Sequence, residues 1–291
     1  PFLSLNYIAD SLGETLRMEY EQGDAPRHKS VQATIEWSYR LLTEQHQHLL
    51  RCLSVFRGGF SIQAVSQVGF DVPLSESEAA RVVSVLVKNS LVYLEDVAAV
   101  CDPSRRRFHL LETIREFGRN ALPPDELSSL AVRHRDWCIQ FAEQRAATLD
   151  AGGNQGDILR QIELEHDNIR AAMDCCTDNS DTTSGLRFGV AMWRFWEVRG
   201  YYAEGREELG KLVGVPRTEE NAQLLGWASS GLGMLCYRQG QFPDAKKPFA
   251  DALQIEQDRG DARRISNCLN DLGILAQIRG DFEDALRLYE Q

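Results

Sequence analysis

The chain of 291 residues is 43% apolar and 26% charged and carries a formal charge of −11. That is the make-up of a globular protein with room for two domains, and its acidic excess argues against whole-chain attraction to nucleic acid or an anionic membrane. No run of about 18 apolar residues occurs, so no segment reads as a bilayer-spanning helix.

Pro1-Phe2-Leu3-Ser4 opens the chain without Met and without a basic-then-apolar leader, and Gln291 closes it inside a helical pattern. Both ends read as cut, and a fragment of something longer is expected. Leu5, Ile8, Leu12, Leu16 and Tyr20 recur at spacings of three and four and predict an amphipathic helix over 1–22. Gly23-Asp24-Ala25-Pro26 breaks it. Ile35, Trp37, Tyr39 and Leu42 mark a second helix. Leu49, Leu50, Leu53 and Phe56 mark a third, which Gly58-Gly59 is expected to stop. Ser61 starts the next, through Val65 and Val68, and a densely apolar helix follows from Glu78 to Lys88. The period then changes: 90–94 and 107–111 are short β-type runs around a polar loop, read as a hairpin. Helix returns at 112–120, completing a winged-helix order. Beyond Pro123-Pro124 helical pattern covers 127–149 and, after Gly152-Gly153-Asn154, 158–176. Residues 178–185 read as a polar joint.

Past that joint the chain echoes itself at a displacement of 40. Gly240-Gln241-Phe242, Ala245 and Phe249 return as Gly280-Asp281-Phe282, Ala285 and Tyr289, and Gly233 returns as Gly273. Gly200-Tyr201-Tyr202, Gly205 and Leu209 anticipate them. A fixed period of this length predicts stacked helix pairs, because one pair cannot bury its own apolar face. The turn glycine is read as clearing a close approach, Phe242 or Phe282 as an anchor, and Ala245 or Ala285 as the small contact between paired helices. The stack leaves a concave groove lined by the first helix of each pair. Met192, Trp193, Phe195 and Trp196 crowd the first unit, either as an aromatic anchor for a ligand or as a bulky cap on the array. Trp193, Trp196, Tyr237 and Arg238 are the candidate groove residues.

Bond-making chemistry finds little footing. His28, His46, His48, His109, His134 and His166 lack metal-ligand spacing, and no Gly-x-Ser-x-Gly elbow occurs. No Gly-x-x-x-x-Gly-Lys-Ser/Thr loop is present to cradle a triphosphate. Catalytic, cofactor-binding and metal-binding residues are therefore expected to be none. Seven cysteines, at 52, 101, 138, 175, 176, 236 and 268, include no Cys-x-x-Cys pair and read as small core residues in a reducing cytoplasm. The helix from Glu78 offers only Arg81 and Lys88 to a DNA groove. Arg105, Arg106 and Arg107 touch phosphates, stand in a solvated loop, or dock another domain. Glu165-His166-Asp167-Asn168 is either a helix-to-helix contact or a latch between domains.

The echoing units resemble tetratricopeptide repeats of the long kind. Thr34-Ile35-Glu36-Trp37-Ser38-Tyr39, Leu53-Ser54-Val55-Phe56-Arg57-Gly58-Gly59-Phe60 and Leu110-Leu111-Glu112-Thr113-Ile114-Arg115-Glu116-Phe117 are similar to the winged-helix region of bacterial signal-transduction ATPases with numerous domains. Glu165-His166-Asp167-Asn168-Ile169-Arg170-Ala171-Ala172 resembles their link into the repeats. The resemblance extends to large regulators of the maltose-activator and antibiotic-regulator types. It implies an upstream ATPase domain holding ATP or ADP with Mg, and a DNA-binding domain elsewhere in the full protein. Many relatives place Met-His-Asp where Leu110, Leu111 and Glu112 stand here, the His reaching ADP, so the imidazole is missing.

The expected fold class is mainly α, a winged-helix domain followed by an α-solenoid of tetratricopeptide-like pairs. The expected division is 1–26 as the tail of an ATPase module, 27–122 winged helix, 123–180 helical connector and 181–291 repeats. The expected role is the sensor and regulatory part of a cytoplasmic signalling ATPase and transcriptional regulator. Its repeats bind a protein partner or small inducer, its winged helix relays the switch, and it touches DNA only through a separate domain and no membrane. The alternatives are a winged-helix DNA binder dimerising through its repeats and a passive scaffold.

Overall fold

A computed structural model describes residues 26–95 and 106–291, with side chains from residue 31 onward. The helix expected over 1–22 lies outside the described residues, as do Cys101 and Arg105. Among the described residues the chain is mainly helical, with thirteen helices and one two-stranded sheet. It forms two compact units that meet in sequence between Trp137 and Cys138.

In the first unit, α1 (Pro26–Arg40), α2 (Glu44–Leu53), α3 (Ile62–Val68) and α4 (Glu76–Lys88) precede a hairpin of β1 (Tyr93–Leu94) and β2 (Phe108–His109). Then come α5 (Glu112–Asn120) and the start of α6 (Pro124–Asp150). Side chains set the helix starts. Ser61 Oγ accepts the Ala64 amide at 3.1 Å, and Ser75 and Glu78 form a reciprocal capping box on α4, each pairing amides that a first turn leaves free. Leu49, Leu50, Leu53, Val65, Val68, Val83 and Leu86 fill the core, each buried side chain stabilising by roughly 1.5–3 kcal/mol against exposure.

Two local expectations change. Gly58-Gly59 does not stop α2, which ends at Leu53; with φ of 70° and 97° the glycines form the turn into Phe60. The strands are also shorter than the runs that predicted them. The amides of Leu91 and Val92 turn back to the Leu86 carbonyl, closing the end of α4, so pairing begins only at Tyr93. β1 and β2 are antiparallel, Tyr93 opposite His109 and Leu94 opposite Phe108. On the other edge of β2, Phe60 and Phe108 exchange both backbone hydrogen bonds at 2.9 Å.

The second unit contains the rest of α6, then α7 (Gln155–Asp178), α8 (Thr182–Arg199), α9 (Tyr202–Val213), α10 (Ala222–Arg238), α11 (Phe242–Arg259), α12 (Ala262–Ile278) and α13 (Phe282–Tyr289). The joint predicted over 178–185 is shorter. Asp181 caps α8 by accepting the Ser184 amide at 3.0 Å, and Gly185 lies buried inside that helix. The echo appears as three hairpins, α8–α9, α10–α11 and α12–α13.

Its physical basis is partly different from the one expected. A Cβ on Gly240 or Gly280 would meet nothing within 4 Å, so these turn glycines are not clearing a close approach. Their φ values of 76° and 78° are what require glycine. Close approach occurs instead at Gly233, where a Cβ would stand 2.6 Å from the Phe249 ring. Gly273 carries Tyr289 in the same way, one repeat later. The small-aromatic pair at fixed offset is thus a ring seated on bare backbone within each hairpin. Ala245 and Ala285 are buried, as contacts between helices should be, whereas Phe282 is 68% exposed and anchors nothing within the described residues.

Candidate functional site

The first helices of the hairpins, together with the end of α6, line a groove of about 880 Å³ in the second unit. Displacement by 40 orders its lining into layers. Arg187, Trp227 and Asn267 occupy one, Val190, Ser230 and Asn270 the next, and Ala191, Gly231 and Asp271 a third. Each of these layers takes the same position on α8, α10 and α12 while its chemistry varies; Trp193 has no such counterparts, since Gly233 and Gly273 lie outside the lining.

The chemistry is mixed. Arg187 donates to both carboxylate oxygens of Glu143 at 2.7 Å, a planar pairing that holds both groups in place. The Arg264 guanidinium lies 4.6 Å from the centroid of the Trp227 ring, a cation–π contact on the groove wall. Asp261 accepts the Arg264 amide at 3.1 Å and caps α12. Burial pushes the Asp271 carboxyl up to about 6. Charge, amides and an indole wall can hold a ligand by shape and hydrogen bonding. Among the described residues no group of three His, Cys, Asp or Glu side chains is placed to hold a metal ion.

Of the four expected groove residues, only Trp193 lines it. Its ring root packs where a Cβ on Gly231 would sit, at 3.0 Å. Trp196 is 0% exposed and belongs to the core with Met192 and Phe195. Tyr237 packs its ring against Phe242, and Arg238 donates to Glu197 at 2.7 Å, outside the groove lining. Trp227, Asn267, Asn270 and Asp271 also line the groove and were missed; the period links Trp227 to Asn267, but displacing Trp193 by 40 leads to Gly233 and Gly273, outside the lining.

Glu165, His166, Asp167 and Asn168 all lie on α7, and His166 reaches into the first hairpin. Asn168 donates to Glu165 at 2.6 Å, both buried. His166 Nε2 lies 2.8 Å from Glu204 on α9, and its ring packs against those of Phe195 and Tyr201, which also stack on each other. Arg170 grips the same carboxylate through two nitrogens, at 3.0 and 2.6 Å, and reaches Asp167 at 3.0 Å. Burial by itself would raise the Glu204 carboxyl, but the hydrogen bonds from His166 and Arg170 overturn it and hold its pKa at about 2. Chemically this is a charge-assisted clamp between α7 and the α8–α9 hairpin.

In the first unit, Arg107 is 4% exposed and donates to the Gly59 carbonyl at 3.0 Å, so its guanidinium is turned into the fold. Arg106 is exposed. His109 faces Glu95 at 3.1 Å and stacks on Tyr93, its ring occupying the space a Cβ on Gly59 would need. Arg81 and Lys88 are the exposed cations of α4. No described helix is long and apolar enough to cross a membrane.

Comparison with known proteins gives three findings. Residues 222–291 match the tetratricopeptide repeat family. Two curated relatives, Putative HTH-type transcriptional regulator Rv0890c of Mycobacterium tuberculosis and its Mycobacterium bovis counterpart Mb0914c, are each 30% identical over 200 residues. That alignment covers 68% of this chain and 22% of each relative, so the chain spans about a fifth of their length. Among solved structures, the Signal Transduction ATPase with Numerous Domains protein PH0952 from Pyrococcus horikoshii, with a tetratricopeptide repeat sensor, matches at 12% identity and a TM-score of 0.34. The match covers 96% of this chain and 47% of that one. Residues 222–291 are tetratricopeptide repeats, and the chain that carries them is related to these transcriptional regulators.

Proposed function

We propose that this chain is the sensor and regulatory segment of a signalling ATPase that controls transcription, with the repeat groove taking a protein partner or inducer. The observation that carries the reading is the groove itself, about 880 Å³ faced by one inner stripe from each first helix. Its volume falls within the ~300–1,000 Å³ of ligand sites. An effector there acts by binding one arrangement of the regulator better than another. The clamp of His166 and Arg170 on Glu204 makes α7 part of any such movement of the first hairpin. We assign 27–122 to a winged helix, 123–180 to a connector and 181–291 to repeats. The order helix, extended Phe60, two helices, hairpin, helix supports the first of these.

Nucleotide and Mg belong, in this reading, to an ATPase module outside the chain. Residues 110–112 do not fit a nucleotide contact: Leu111 stands where the resemblance to signalling ATPases implies an imidazole, and Glu112 pairs with Arg115. DNA belongs to a separate domain. The inward Arg107, and Glu76 and Glu78 leading α4, work against phosphate binding by this unit.

The test is a groove-filling substitution, Ser230→Trp, in a full-length regulator carrying this segment. The reading expects the transcriptional response to inducer to disappear while the protein still occupies its DNA site. A response of unchanged size would reject it.

A further inference from the structure

The three hairpins echo one another in sequence but are not joined alike. The backbones of α8 and α10 run close together, whereas those of α10 and α12 stand apart, and both of the latter line the groove. One pair of positions accounts for the difference. Gly231 on α10 admits α8 so closely that the Trp193 Cβ stands 3.0 Å from where a Cβ on Gly231 would be. One repeat later that pair becomes Gly233 and Asp271, and Gly233 lies under Phe249 instead. A helix can be overlaid closely at a bare glycine, but not at an aspartate side chain.

The ion pairs differ in the same sense. Three tie the first hairpin and the loop after it to the second: Glu197 with Arg238 at 2.7 Å, Arg206 with Asp244 at 3.5 Å, and Arg217 with Asp258 at 2.6 Å. Glu197 keeps only 9% of its side chain exposed, so salt and water screen the first of these poorly. At the next junction Tyr237 and Ile278 stand in place of Glu197 and Arg238, and Gln257 in place of Arg217. Asp284, the counterpart of Asp244, turns to Arg279 and Arg287 of its own hairpin. Between α10 and α12 there remain the Arg264 guanidinium over the Trp227 ring at 4.6 Å and the Cys268 thiol 3.8 Å from the Ser230 hydroxyl. Neither fixes a direction as a paired charge does. The buried side of α12, with Cys268 and Leu269, packs on α11.

We infer that the α12–α13 hairpin is a hinged jaw, pivoting where α12 rests on α11 and opening and closing the groove against α10. The first two hairpins form the fixed block. Closure carries Arg264, Asn267 and Asn270 towards Trp227 and Ser230, so an occupant that touches both sides favours the closed form. This gripping role rests on the groove being the binding site; the hinge itself needs no occupant to be seen.

Thr183, Gln223 and Arg263 are exposed and hold the same place, second in α8, α10 and α12. Nitroxides attached there through p-acetylphenylalanine leave the native cysteines unlabelled. In the 291-residue chain, pulsed dipolar electron resonance should give a 223–263 distance distribution at least about twice as wide as the 183–223 one. Tyr237→Glu together with Ile278→Arg transplants the Glu197–Arg238 pair to the second junction and should narrow the 223–263 distribution, with thermal denaturation as the check on folding. Equal widths in the otherwise unaltered chain overturn the hinge. A broad 223–263 distribution that the double substitution leaves unchanged overturns its assignment to the missing ion pairs. Ser230→Trp in the full-length regulator tests the groove independently of these widths, so the hinge and the groove reading fall separately.

Discussion

Replacing Glu204 by Gln removes the charge at the centre of the clamp between α7 and the first hairpin while keeping the side chain's size. The folded carboxyl titrates at about 2 against an ordinary value of 4.5. At about 1.4 kcal/mol for each tenfold change, that gap corresponds to roughly 3 kcal/mol. Glu204 is 24% exposed, and water screening brings the expected contribution to about 2 kcal/mol. Because the folded pKa is depressed, this stability is complete above 4.5 and drains away as the pH falls through 2. Urea denaturation at a series of pH values reads the effect. Tryptophan fluorescence is a suitable probe, since Trp196 packs beside Gly205 on α9, one residue from the substitution. At pH 7 Glu204→Gln should be less stable by about 2 kcal/mol, and the two proteins should converge as the pH approaches 2. Equal stability at pH 7 would refute the clamp. So would a difference that persists unchanged at low pH, since that would trace it to packing rather than charge.

Gly233→Ala drives a methyl into the Phe249 ring, and overpacking of about 1–3 kcal/mol should outweigh the roughly 1 kcal/mol gained in helix propensity. Melting temperature should fall, and Phe249→Leu in the same chain should restore part of it. Arg107→Ala leaves the buried Gly59 carbonyl without this donor and should destabilise the first unit by about 1–3 kcal/mol in denaturant titration, whereas exposed Arg106→Ala should change it by less than about 0.5 kcal/mol. Ser61→Ala removes the cap on α3 and should cost about 1 kcal/mol by the same measurement. Asp271→Asn should raise the melting temperature at pH 7; the wild type, whose folded carboxyl binds its proton more tightly than the unfolded one, should gain stability as the pH drops from 6 towards 4.

Much of the architecture is written locally. Ser61 and Ser75 announce helix starts because a hydroxyl can pair a first-turn amide without any tertiary partner. The displacement by 40 announces hairpins because every unit must solve the same packing problem with its neighbour. The groove lining was legible only in part: displacing Trp193 by 40 leads to Gly233 and Gly273, which lie under Phe249 and Tyr289 and not in the groove.

Other choices were made only by packing. Trp193 and Trp196 are three residues apart on one helix, and pattern alone does not say which is core. Gly231 on α10 makes room for Trp193 at the groove wall, while Trp196 closes over Gly205. Three consecutive arginines look alike as a basic loop, yet strand pairing turns Arg107 inward to Gly59. Glu204 meets His166 and Arg170 across 38 and 34 residues, and no local period encodes that meeting. Periodicity decides which helices form and which faces they share; the desolvation and pairing of individual charges depend on distances that only the folded chain sets.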